Sequence, residues 1–481
     1  MKLSDLVAAL RRQDLVATAP DLDVEIARID VDSRVVQAGS LFVAVRGSVA
    51  DGHRFIADAV HHGAAALIAE QPVDVSIPVV VVRDGRRAAQ VVAETWYRLP
   101  TAELEIVGIT GTNGKTTTTA MMRHLLNDEH DAGSIGTLGA YDGAGDRVES
   151  SAGSLTTPGP LDLQATFRAL VDRGVRRVAM ETSSHALDQG RLDGITFAAG
   201  IFTNLTREHL DYHGTMEQYL GAKLRLADRV AADGVLSLNA DDPAWDPLRR
   251  DHRALTWGIA ADADVRVSDA IYSSAGTTFT VQSRFGTRDV AIPFLGEFNV
   301  ANATGAATVA LGMGRPIDQV VERLATAPQV PGRMERLADT PCIVLRDYAH
   351  TPDAFERVLS MLRPLVSGRL VILFGCGGDR DRGKRPIMGR IAAERADHVV
   401  LTSDNPRHED PAKIIDEIVA EMPAGSYDRI LDREDAIAHA LHGARPGDTI
   451  LLAGKGHETY QVEGSTYRHF DERDIVRSLL R

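Results

Sequence analysis

A glycine-rich segment of the chain carries the residue types that bind phosphate groups. It reads Thr110-Gly111-Thr112-Asn113-Gly114-Lys115-Thr116-Thr117, between a buried-strand pattern at Ile106–Ile109 and a helical pattern at Lys115–Asn127. Glycines let backbone N–H groups close on phosphate oxygens, and a helix N-terminus favours negative charge. The lysine can neutralise terminal phosphates, and the hydroxyl that follows can reach Mg²⁺. The segment therefore predicts a binding loop for a nucleoside triphosphate.

The spacing of this loop departs from the usual motif. A glycine is expected five positions before Gly114, where this chain has Ile109, with Gly108 one residue earlier. We interpret the segment as a variant phosphate loop, and the alternative is a glycine-rich turn in front of a solvated helix. Motors, switches, kinases and ligases all use such loops, so the loop alone does not choose a reaction.

The elements that must position this loop alternate between strands and helices, which predicts an α/β fold with mostly parallel sheets. Before residue 103 we expect strands at Ile29–Val31, Leu41–Val45, Ala65–Ala69 and Val79–Val82 and a helix at Arg86–Leu99. In the centre we expect strands at Ile106–Ile109, Val178–Met180, Phe197–Phe202 and Gly234–Leu238 and helices at Lys115–Asn127 and Met216–Val230.

The alternation restarts after Ala327–Gly332, which predicts a separate doubly wound domain. Its expected strands are Ile343–Arg346, Leu370–Phe374, His398–Thr402, Arg429–Leu431 and Thr449–Leu452. Its expected helices are Ala354–Leu362, Pro386–Arg395, Pro411–Ala420 and Asp435–Leu441. With a first boundary near Pro100–Glu105, the predicted domains are 1–102, 103–330 and 331–481.

Composition limits the class of protein. The chain has 481 residues, 44% of them hydrophobic, and a net charge of −14, so we expect several folded domains and no dominant nucleic-acid surface. Two cysteines cannot form a disulfide framework, and we expect Cys376 to be a small buried residue. The N-terminus lacks a signal-peptide core, and no apolar run is long enough to span a membrane. We expect a cytoplasmic protein.

Several further segments accompany the phosphate loop along nearly the whole chain. They are Glu181-Thr182-Ser183-Ser184-His185, 203–211 (TNLTREHLD), Gly296–Asn302, 331–335 (PGRME) and Asp347-Tyr348-Ala349-His350. Read together in this order, they resemble the Mur ligases, the ATP-dependent amide-forming enzymes of peptidoglycan precursor synthesis. The resemblance implies an N-terminal UDP-substrate domain, a central P-loop ATPase domain and a C-terminal Rossmann-like domain.

Two segments point to one branch of this family. Asp32-Ser33-Arg34, with Leu41–Ala44 and Gly47, resembles the uridine-binding segment of the enzymes that make the third amino-acid addition. Asp404-Asn405-Pro406-Arg407 resembles their diaminopimelate signature. The resemblance therefore implies addition of diaminopimelate, with the meso isomer expected, to UDP-N-acetylmuramoyl-L-alanyl-D-glutamate through an acyl phosphate. The residues themselves leave the stereoisomer open.

The resemblance also assigns catalytic and metal-binding roles. Lys115 serves the phosphates, Thr116 and Glu181 hold one Mg²⁺, and His209 holds a second. Lys223 matches the family's carbamylated lysine, whose anionic carbamate can ligate the metal or order water around it. Reaction with CO₂ needs a neutral amine, so this lysine should be partly desolvated or near cations. The alternatives are a structural histidine and a solvated helix lysine.

Nucleotide and UDP-substrate residues follow from the same resemblance. ATP is expected to contact Gly111, Thr112, Asn113, Gly114, Lys115, Thr116, Thr117, Asn302, Arg333 and Asp347. Asn299 would also lie beside the adenine, and the alternative there is a helix N-cap. The UDP-substrate is expected to contact Val31, Ser33, Ser48, Thr156, Thr157, Ser183, Gln189 and Arg191.

An amino-acid pocket is expected in the C-terminal domain. Diaminopimelate has one more carboxylate than lysine, and the fork of the Arg407 guanidinium suits that group. Gly454–Glu458 ends a strand, where ligands bind in open α/β sheets. The expected pocket residues are Arg380, Asp404, Asn405, Pro406, Arg407, Gly454 and Glu458. The alternatives are a solvated charged loop at 379–385 and a turn built on Asn405-Pro406.

Three other functions remain to be separated from this one. A lysine-adding Mur ligase differs mainly at Asp404–Arg407, and folylpolyglutamate synthase shares the loop and the ligase chemistry. From another class, a nucleotide-dependent switch would need no lysine carbamate and no diamino-acid pocket. Substrate-dependent phosphate release would distinguish a ligase from a nucleotide-dependent switch. We expect the protein to be a monomer.

Overall fold

The computed structural model describes residues 1–47, 50–149 and 155–481. It divides into two compact units. The first consists of Met1–Arg266, Gln282–Gly286 and Asn302–Val320, and the second of Val267–Val281, Thr287–Ala301 and Val321–Arg481. None of the helices in the described ranges is long and apolar enough to cross a membrane.

The first unit opens with a small sheet. Its elements are α1 (Leu3–Arg12), β1 (Val16–Thr18), β2 (Arg28–Asp30), β3 (Ser40–Val43), α2 (Ile56–His61), β4 (Ala66–Ala69), β5 (Val79–Val82) and α3 (Gly85–Trp96). The strand order is β1-β5-β4-β3-β2, with β2 to β5 parallel and β1 antiparallel to β5. In α1, Leu3, Leu6 and Leu10 recur at helical spacing, so the helix buries one apolar face in this core.

A larger sheet follows in the same unit. Its elements are β6 (Glu105–Thr110), α4 (Lys115–Leu126), β7 (Ala132–Gly136), β8 (Gly139–Tyr141), β9 (Arg147–Val148), α5 (Pro160–Asp172), β10 (Arg177–Glu181), α6 (Ser184–Asp188), β11 (Phe197–Phe202), α7 (Leu210–His213), α8 (Met216–Leu224), β12 (Val230–Asn239) and β13 (Ala254–Gly258). The strand order is β13-β12-β11-β6-β10-β7-β8-β9, parallel from β13 to β7.

Strand β6 lies between β10 and β11 in this sheet. Glu181 pairs with Ile109, and Phe202 pairs with Thr110, so the three strands end at one level. The phosphate loop, the residues after Glu181 and the residues after Phe202 therefore emerge side by side. Ligands bind at such places in open parallel sheets.

Between residues 265 and 325 the chain forms elements outside the strands and helices expected from the sequence, which offered here only a helix N-cap at Asn299 as an alternative. They are β14 (Val265–Ser273), β15 (Gly276–Ser283), β16 (Gly286–Ile292), α9 (Glu297–Gly312) and α10 (Ile317–Ala325). The strands β14, β15 and β16 are neighbours in that order.

The remainder of the second unit is a doubly wound domain. Its elements are β17 (Glu335–Ala338), β18 (Ile343–Asp347), α11 (Pro352–Leu362), β19 (Leu370–Phe374), α12 (Lys384–Arg395), β20 (His398–Leu401), α13 (Pro411–Ile418), β21 (Tyr427–Arg429), α14 (Arg433–His442), β22 (Thr449–Ala453), β23 (Tyr460–Glu463), β24 (Thr466–His469) and α15 (Glu472–Leu479). The order β17-β18-β22-β19-β20-β21 is parallel except for β17, and β23 pairs with β24.

Strand β19 shows why this domain needs helices on both faces. Leu370, Ile372 and Phe374 pack into one apolar cluster, whereas Val371 and Leu373 pack into another. Since successive side chains of a strand point to opposite faces, both faces of the sheet are buried. The predicted α/β fold with mostly parallel sheets in three domains is confirmed, while the bounds 1–102, 103–330 and 331–481 stay a prediction.

Several strands lie where the sequence predicts them, and one is displaced. Val79–Val82, Phe197–Phe202 and Leu370–Phe374 match observed strands. The strand expected at Arg429–Leu431 instead spans Tyr427–Arg429, because Asp432 already caps α14.

The helix expected at Met216–Val230 is too long. It ends at Leu224, a short 3₁₀ turn covers Ala227–Arg229, and Val230 already begins β12. Burial of Leu226 and Ala227 in the core and pairing of Val230 with Phe197 outweigh the local helical pattern.

Candidate active site

The phosphate loop is held by the residues that follow β11. The Thr203 hydroxyl donates to the Asn113 carbonyl at 2.7 Å. The backbone of Thr112 donates to the Asn204 carbonyl at 2.7 Å, and the backbone of Asn113 donates to the Asn204 side-chain oxygen at 2.9 Å. The Lys115 amine donates to the carbonyls of Gly111 and Thr112, at 3.0 and 2.8 Å. The loop is therefore preformed at the end of its strand.

Two glycines of the loop are required by close approach. A Cβ on Gly111 would lie 1.9 Å from the Thr203 hydroxyl oxygen, and a Cβ on Gly114 would lie 2.2 Å from the Asn302 side-chain oxygen. Both glycines have positive φ, at +141° and +86°. Asn302 also accepts a hydrogen bond from the Thr118 hydroxyl at 3.2 Å, so it lies against the loop and the first turn of α4.

Lys223 is buried beneath the loop. Only 1% of it is exposed, and its amine donates to the Gly111 carbonyl at 2.7 Å. The amine also lies 4.4 Å from the centre of the Tyr219 ring. Burial, and then the charge of Lys115, hold the pKa of this amine well below its usual value. The alternative of a solvated helix lysine is therefore wrong.

Glu181, at the end of β10, is almost fully buried beside Gly136 and Thr137. One of its carboxylate oxygens accepts the backbone N–H of Thr137 at 2.8 Å, and the other accepts the Thr137 hydroxyl at 3.2 Å. A Cβ on Gly136 would lie 2.4 Å from that carboxylate, so only glycine fits there. The carboxylate is thus oriented by Thr137, the residue that follows β7.

Hydrogen bonds connect five of the residues that are expected to bind the UDP-substrate with one another and with the surroundings of Glu181. Thr157 donates its hydroxyl to the Glu181 carbonyl at 2.9 Å and accepts the Ser183 backbone N–H at 3.0 Å, while the Thr156 hydroxyl lies 3.2 Å from that of Thr137. Arg191 donates to the Thr157 carbonyl at 3.0 Å and to the Gln189 side-chain oxygen at 2.6 Å. The structure therefore brings five of the expected residues together: Thr156, Thr157, Ser183, Gln189 and Arg191.

His209 caps α7 with a left-handed backbone, at φ 56°. Its ring lies 4.8 Å from the ring of His185. Burial lowers its pKa, Glu208 acts in the opposite sense, and Lys115 and Lys223 lower it further. The charges of Lys115 and Lys223 therefore both act on the His209 ring.

The three other residues expected to bind the UDP-substrate, Val31, Ser33 and Ser48, belong to the N-terminal region. Ser33 is buried at the start of a 3₁₀ turn, and its carbonyl oxygen lies 3.1 Å from Nδ1 of His62. Val31 is 45% exposed. Ser48 lies outside the described residues.

In the second unit, a buried network holds the segment Asp404–Arg407. The Asn405 side-chain oxygen accepts from the Lys455 amine at 3.2 Å, and its nitrogen donates to the Glu458 carboxylate at 2.8 Å. The Lys455 amine also lies 3.2 Å from that carboxylate. Only 1% of Lys455 is exposed. The network ties the end of β20 to the end of β22.

Arg407 is fixed through its backbone. Its N–H donates to the Val462 carbonyl at 3.0 Å, its carbonyl accepts from Gly464 at 2.7 Å, and its φ is +50°. One guanidinium nitrogen donates to the Gly378 carbonyl at 2.8 Å, and the guanidinium has further N–H donors. A left-handed backbone is uncommon for a non-glycine residue, and the two backbone hydrogen bonds hold Arg407 in it.

The other expected pocket residues surround this segment. A Cβ on Gly378 would lie 1.9 Å from the Pro406 carbonyl oxygen, and a Cβ on Gly454 would lie 2.9 Å from the Asp404 carboxylate. Arg380 is exposed in the loop after β19. The segment and the end of β22 therefore approach closely.

Arg333 and Asp347 also meet in the second unit. The Arg333 guanidinium lies 4.7 Å from the centre of the Tyr348 ring. The Asp347 carboxylate accepts the backbone N–H groups of Met334 and Ala349, each at 2.7 Å. Burial raises the pKa of Asp347, while Arg333 acts in the opposite direction.

Comparison with known proteins identifies the family. Models of the Mur ligase family catalytic domain, the Mur ligase middle domain and the Mur ligase glutamate ligase domain match residues 25–103, 109–310 and 332–456. The UDP-N-acetylmuramoyl-L-alanyl-D-glutamate–2,6-diaminopimelate ligase of Bacillus cereus is 41% identical, across 100% of this chain and 98% of that protein. The chain belongs to the Mur ligase family.

Other relatives of this Mur ligase agree in name and in fold. The ligase of the same name from Synechococcus elongatus is 41% identical over 100% of this chain and 99% of its own. A solved structure of such a ligase has 34% identity and a TM-score of 0.67, covering 95% of this chain and 94% of that chain. Folylpolyglutamate synthase of Mycobacterium tuberculosis, at 19% identity and a TM-score of 0.63 over 77% of this chain and 91% of that chain, shares the fold alone.

In each of the two units, residues that had been assigned no role hold the candidate site residues of that unit in place. They are Thr137, Thr203, Asn204, Tyr219, Tyr348 and Lys455. All but Thr137 and Tyr219 lie in motif segments that the sequence had already singled out, after strand ends. The position of a residue in such a segment could be read from the sequence. The residue that its side chain contacts could not.

Proposed function

We propose that this Mur ligase uses ATP to join diaminopimelate to UDP-N-acetylmuramoyl-L-alanyl-D-glutamate, a step of peptidoglycan precursor synthesis. Relatives with that name are 41% identical over the whole chain. The observation that carries the choice of amino acid is the pinned Arg407, next to the buried network of Asn405, Lys455 and Glu458. The domains are 1–102, 103–330 and 331–481, and the protein acts as a monomer in the cytoplasm.

The reaction has two steps. The γ-phosphoryl group of ATP passes to the substrate carboxylate, giving an acyl phosphate and ADP. The amine of the amino acid then attacks the acyl carbon, and phosphate leaves as the amide forms. Lys115 supplies positive charge where the triphosphate and carboxylate meet, because two anions must approach one another. The remaining ATP contacts are Gly111, Thr112, Asn113, Gly114, Thr116, Thr117, Asn302, Arg333 and Asp347.

The residues present fit Mg²⁺. The Glu181 carboxylate and the Thr116 hydroxyl are hard oxygen ligands of the kind that Mg²⁺ prefers, and His209 would add an imidazole. Thr137 orients the Glu181 carboxylate before any ligand arrives. When bound, Mg²⁺ neutralises charge on the phosphate oxygens and stabilises the transferring phosphoryl group.

Lys223 is proposed to carry a carbamate. Its burial beneath Gly111 and the nearby charge of Lys115 favour the neutral amine that reacts with CO₂. The carbamate anion then complements the cationic surroundings, where an ammonium would be repelled.

Replacing Lys223 tests this role. Lys223→Ala should lower kcat by about 100-fold or more, because the anion is lost from the reaction centre. A short-chain carboxylic acid should restore part of the activity by supplying a carboxylate in the space left behind. Lys413→Ala, on the exposed face of α13, is the control. Full activity of Lys223→Ala would contradict the proposal.

The substrates bind at separate groups of residues. The UDP-substrate contacts Val31, Ser33, Ser48, Thr156, Thr157, Ser183, Gln189 and Arg191. The amino acid contacts Arg380, Asp404, Asn405, Pro406, Arg407, Gly454 and Glu458. Arg407 pairs with the second carboxylate of diaminopimelate, and the carboxylates of Asp404 and Glu458 accept from its ammonium group.

Phosphate release is the deciding experiment. The enzyme is supplied with ATP, Mg²⁺ and the UDP-linked dipeptide, and meso-diaminopimelate, LL-diaminopimelate, L-lysine or L-glutamate is added singly. Release with the meso isomer alone is expected. Preference for lysine would keep the reaction but contradict the role of Arg407, and no release with any amino acid would overturn the ligase proposal for these substrates.

A further inference from the structure

Two imidazoles and a carboxylate converge in the second unit, apart from the residues assigned to ATP or the amino acid. His398 opens β20, Asp428 lies on β21, and His439 lies on α14. Nε2 of His398 lies 3.0 Å, and Nε2 of His439 2.7 Å, from the same Asp428 oxygen. The three ligand atoms all lie within 4.8 Å of one another.

Two of the three ligand-atom separations in this cluster are close to those of a tetrahedral metal site. Zinc binds imidazole nitrogen and carboxylate oxygen at about 2.0–2.2 Å, which places ligand atoms of a tetrahedron about 3.4 Å apart. The two observed nitrogen–oxygen distances, 3.0 and 2.7 Å, need only small side-chain rotations to reach that value. All three side chains are partly exposed, from 35% to 50%, so none of them is enclosed in the core.

We propose that His398, Asp428 and His439 bind a zinc ion, with a water molecule as the fourth ligand. Three protein ligands and one water satisfy a tetrahedral ion. Each imidazole binds through the Nε2 lone pair, and the ring proton then resides on Nδ1. Mg²⁺ prefers oxygen ligands and is a poor competitor at two imidazoles and one carboxylate. None of the three side chains is among those assigned to the metal sites of the reaction.

A zinc ion here would connect three elements at the edge of the sheet. Strand β21 is the last strand in the order, so among the described residues it pairs with β20 alone. The ion would tie β21 to β20 and to α14. Binding to the folded state alone raises stability in proportion to the logarithm of zinc concentration.

The competing explanation is a purely hydrogen-bonded triad. In that case each imidazole donates its Nε2 proton to the Asp428 oxygen and no metal is held. Both arrangements use the same three side chains, so direct measurement of metal binding separates them.

The test compares metal-free full-length enzyme with His398→Gln and His439→Gln. Zinc is titrated by calorimetry, and Co²⁺ is added separately, because four-coordinate cobalt absorbs strongly in the visible. We expect one zinc per chain that is bound at least ten-fold more weakly in both variants, with loss of the cobalt bands. His442→Gln, an exposed histidine at the end of the same helix, should bind as the wild type does.

Two further readouts make the outcome decisive. Zinc should raise the Tm of the wild type more than that of either variant, while ligase activity in Mg²⁺ stays unchanged in all of them. Zinc held at His209 would persist in every variant and is thereby distinguished. Equal zinc affinity and equal cobalt spectra in wild type and both variants would overturn the proposal, as would a wild type that binds no zinc.

Discussion

A single side chain can hold a segment of the candidate site in place through buried hydrogen bonds. Asn405 shows how this works, because its amide accepts from Lys455 and Val462 on one side and donates to Glu458 on the other. An amide satisfied on both sides has one orientation, so the neighbouring Arg407 is presented at a defined place. The place of Arg407 therefore depends on the hydrogen bonds that Asn405 makes with Lys455, Val462 and Glu458.

Replacing Arg407 tests its role in choosing the amino acid. Arg407→Ala should raise the KM for diaminopimelate by about 10- to 100-fold, because a charge-assisted pair with the second carboxylate is lost. The KM for ATP should change little. Arg357→Ala, an exposed arginine on α11, is the matched control. Initial-rate kinetics with each substrate varied would detect the difference, and equal effects on both substrates would contradict the assignment.

Helices α14 and α15 are linked to the strand ends that precede Asp404 and Gly454. Arg433 and Glu472 form an ion pair at 2.8 Å with neither side chain exposed. Arg433 also donates to the carbonyls of Ser403 and Ala453, the residues just before Asp404 and Gly454. One buried guanidinium therefore joins two helices to the ends of β20 and β22.

Removing one member of this pair should destabilise the domain. Glu472→Ala leaves Arg433 buried without its counter-ion, which costs about 3–5 kcal/mol. Denaturant unfolding followed by circular dichroism would measure the loss. Asp474→Ala, in an exposed pair with Arg477 on the same helix, should cost less than about 1 kcal/mol. Equal effects of the two substitutions would show that burial of the pair does not matter.

Both cysteines of the chain are buried among apolar side chains of the second unit. Cys342 is 2% exposed and Cys376 is 3% exposed, in the clusters on opposite faces of the C-terminal sheet. Burial raises the pKa of both thiols, that of Cys376 to about 12. The expectation of a small buried Cys376 is confirmed.

Thiol labelling should therefore report unfolding of the second unit. At neutral pH the native enzyme should react with a chromogenic disulfide reagent at neither cysteine, because the reactive thiolate is absent and the sulfur is covered. In guanidinium chloride both thiols should react. Rapid reaction of the native protein would contradict the burial of these residues.

The sequence alone determined the fold class and the chemistry of its motifs. Periodicity located strands such as Phe197–Phe202 and Leu370–Phe374, since a buried strand has a local pattern. The phosphate loop was recognisable because its glycines, lysine and hydroxyl are adjacent in the chain. The helix expected at Met216–Val230 failed because packing of Leu226 and strand pairing of Val230 act over long distances.

Only the tertiary structure decided which distant residues meet. Lys223 lies beneath Gly111, Asn302 against Gly114, and Asn405 against Lys455, and no local pattern encodes these pairings. The convergence of His398, Asp428 and His439 is of the same kind. A contact between residues far apart in the chain depends on the packing of every element between them, so it appears only when the whole fold is assembled.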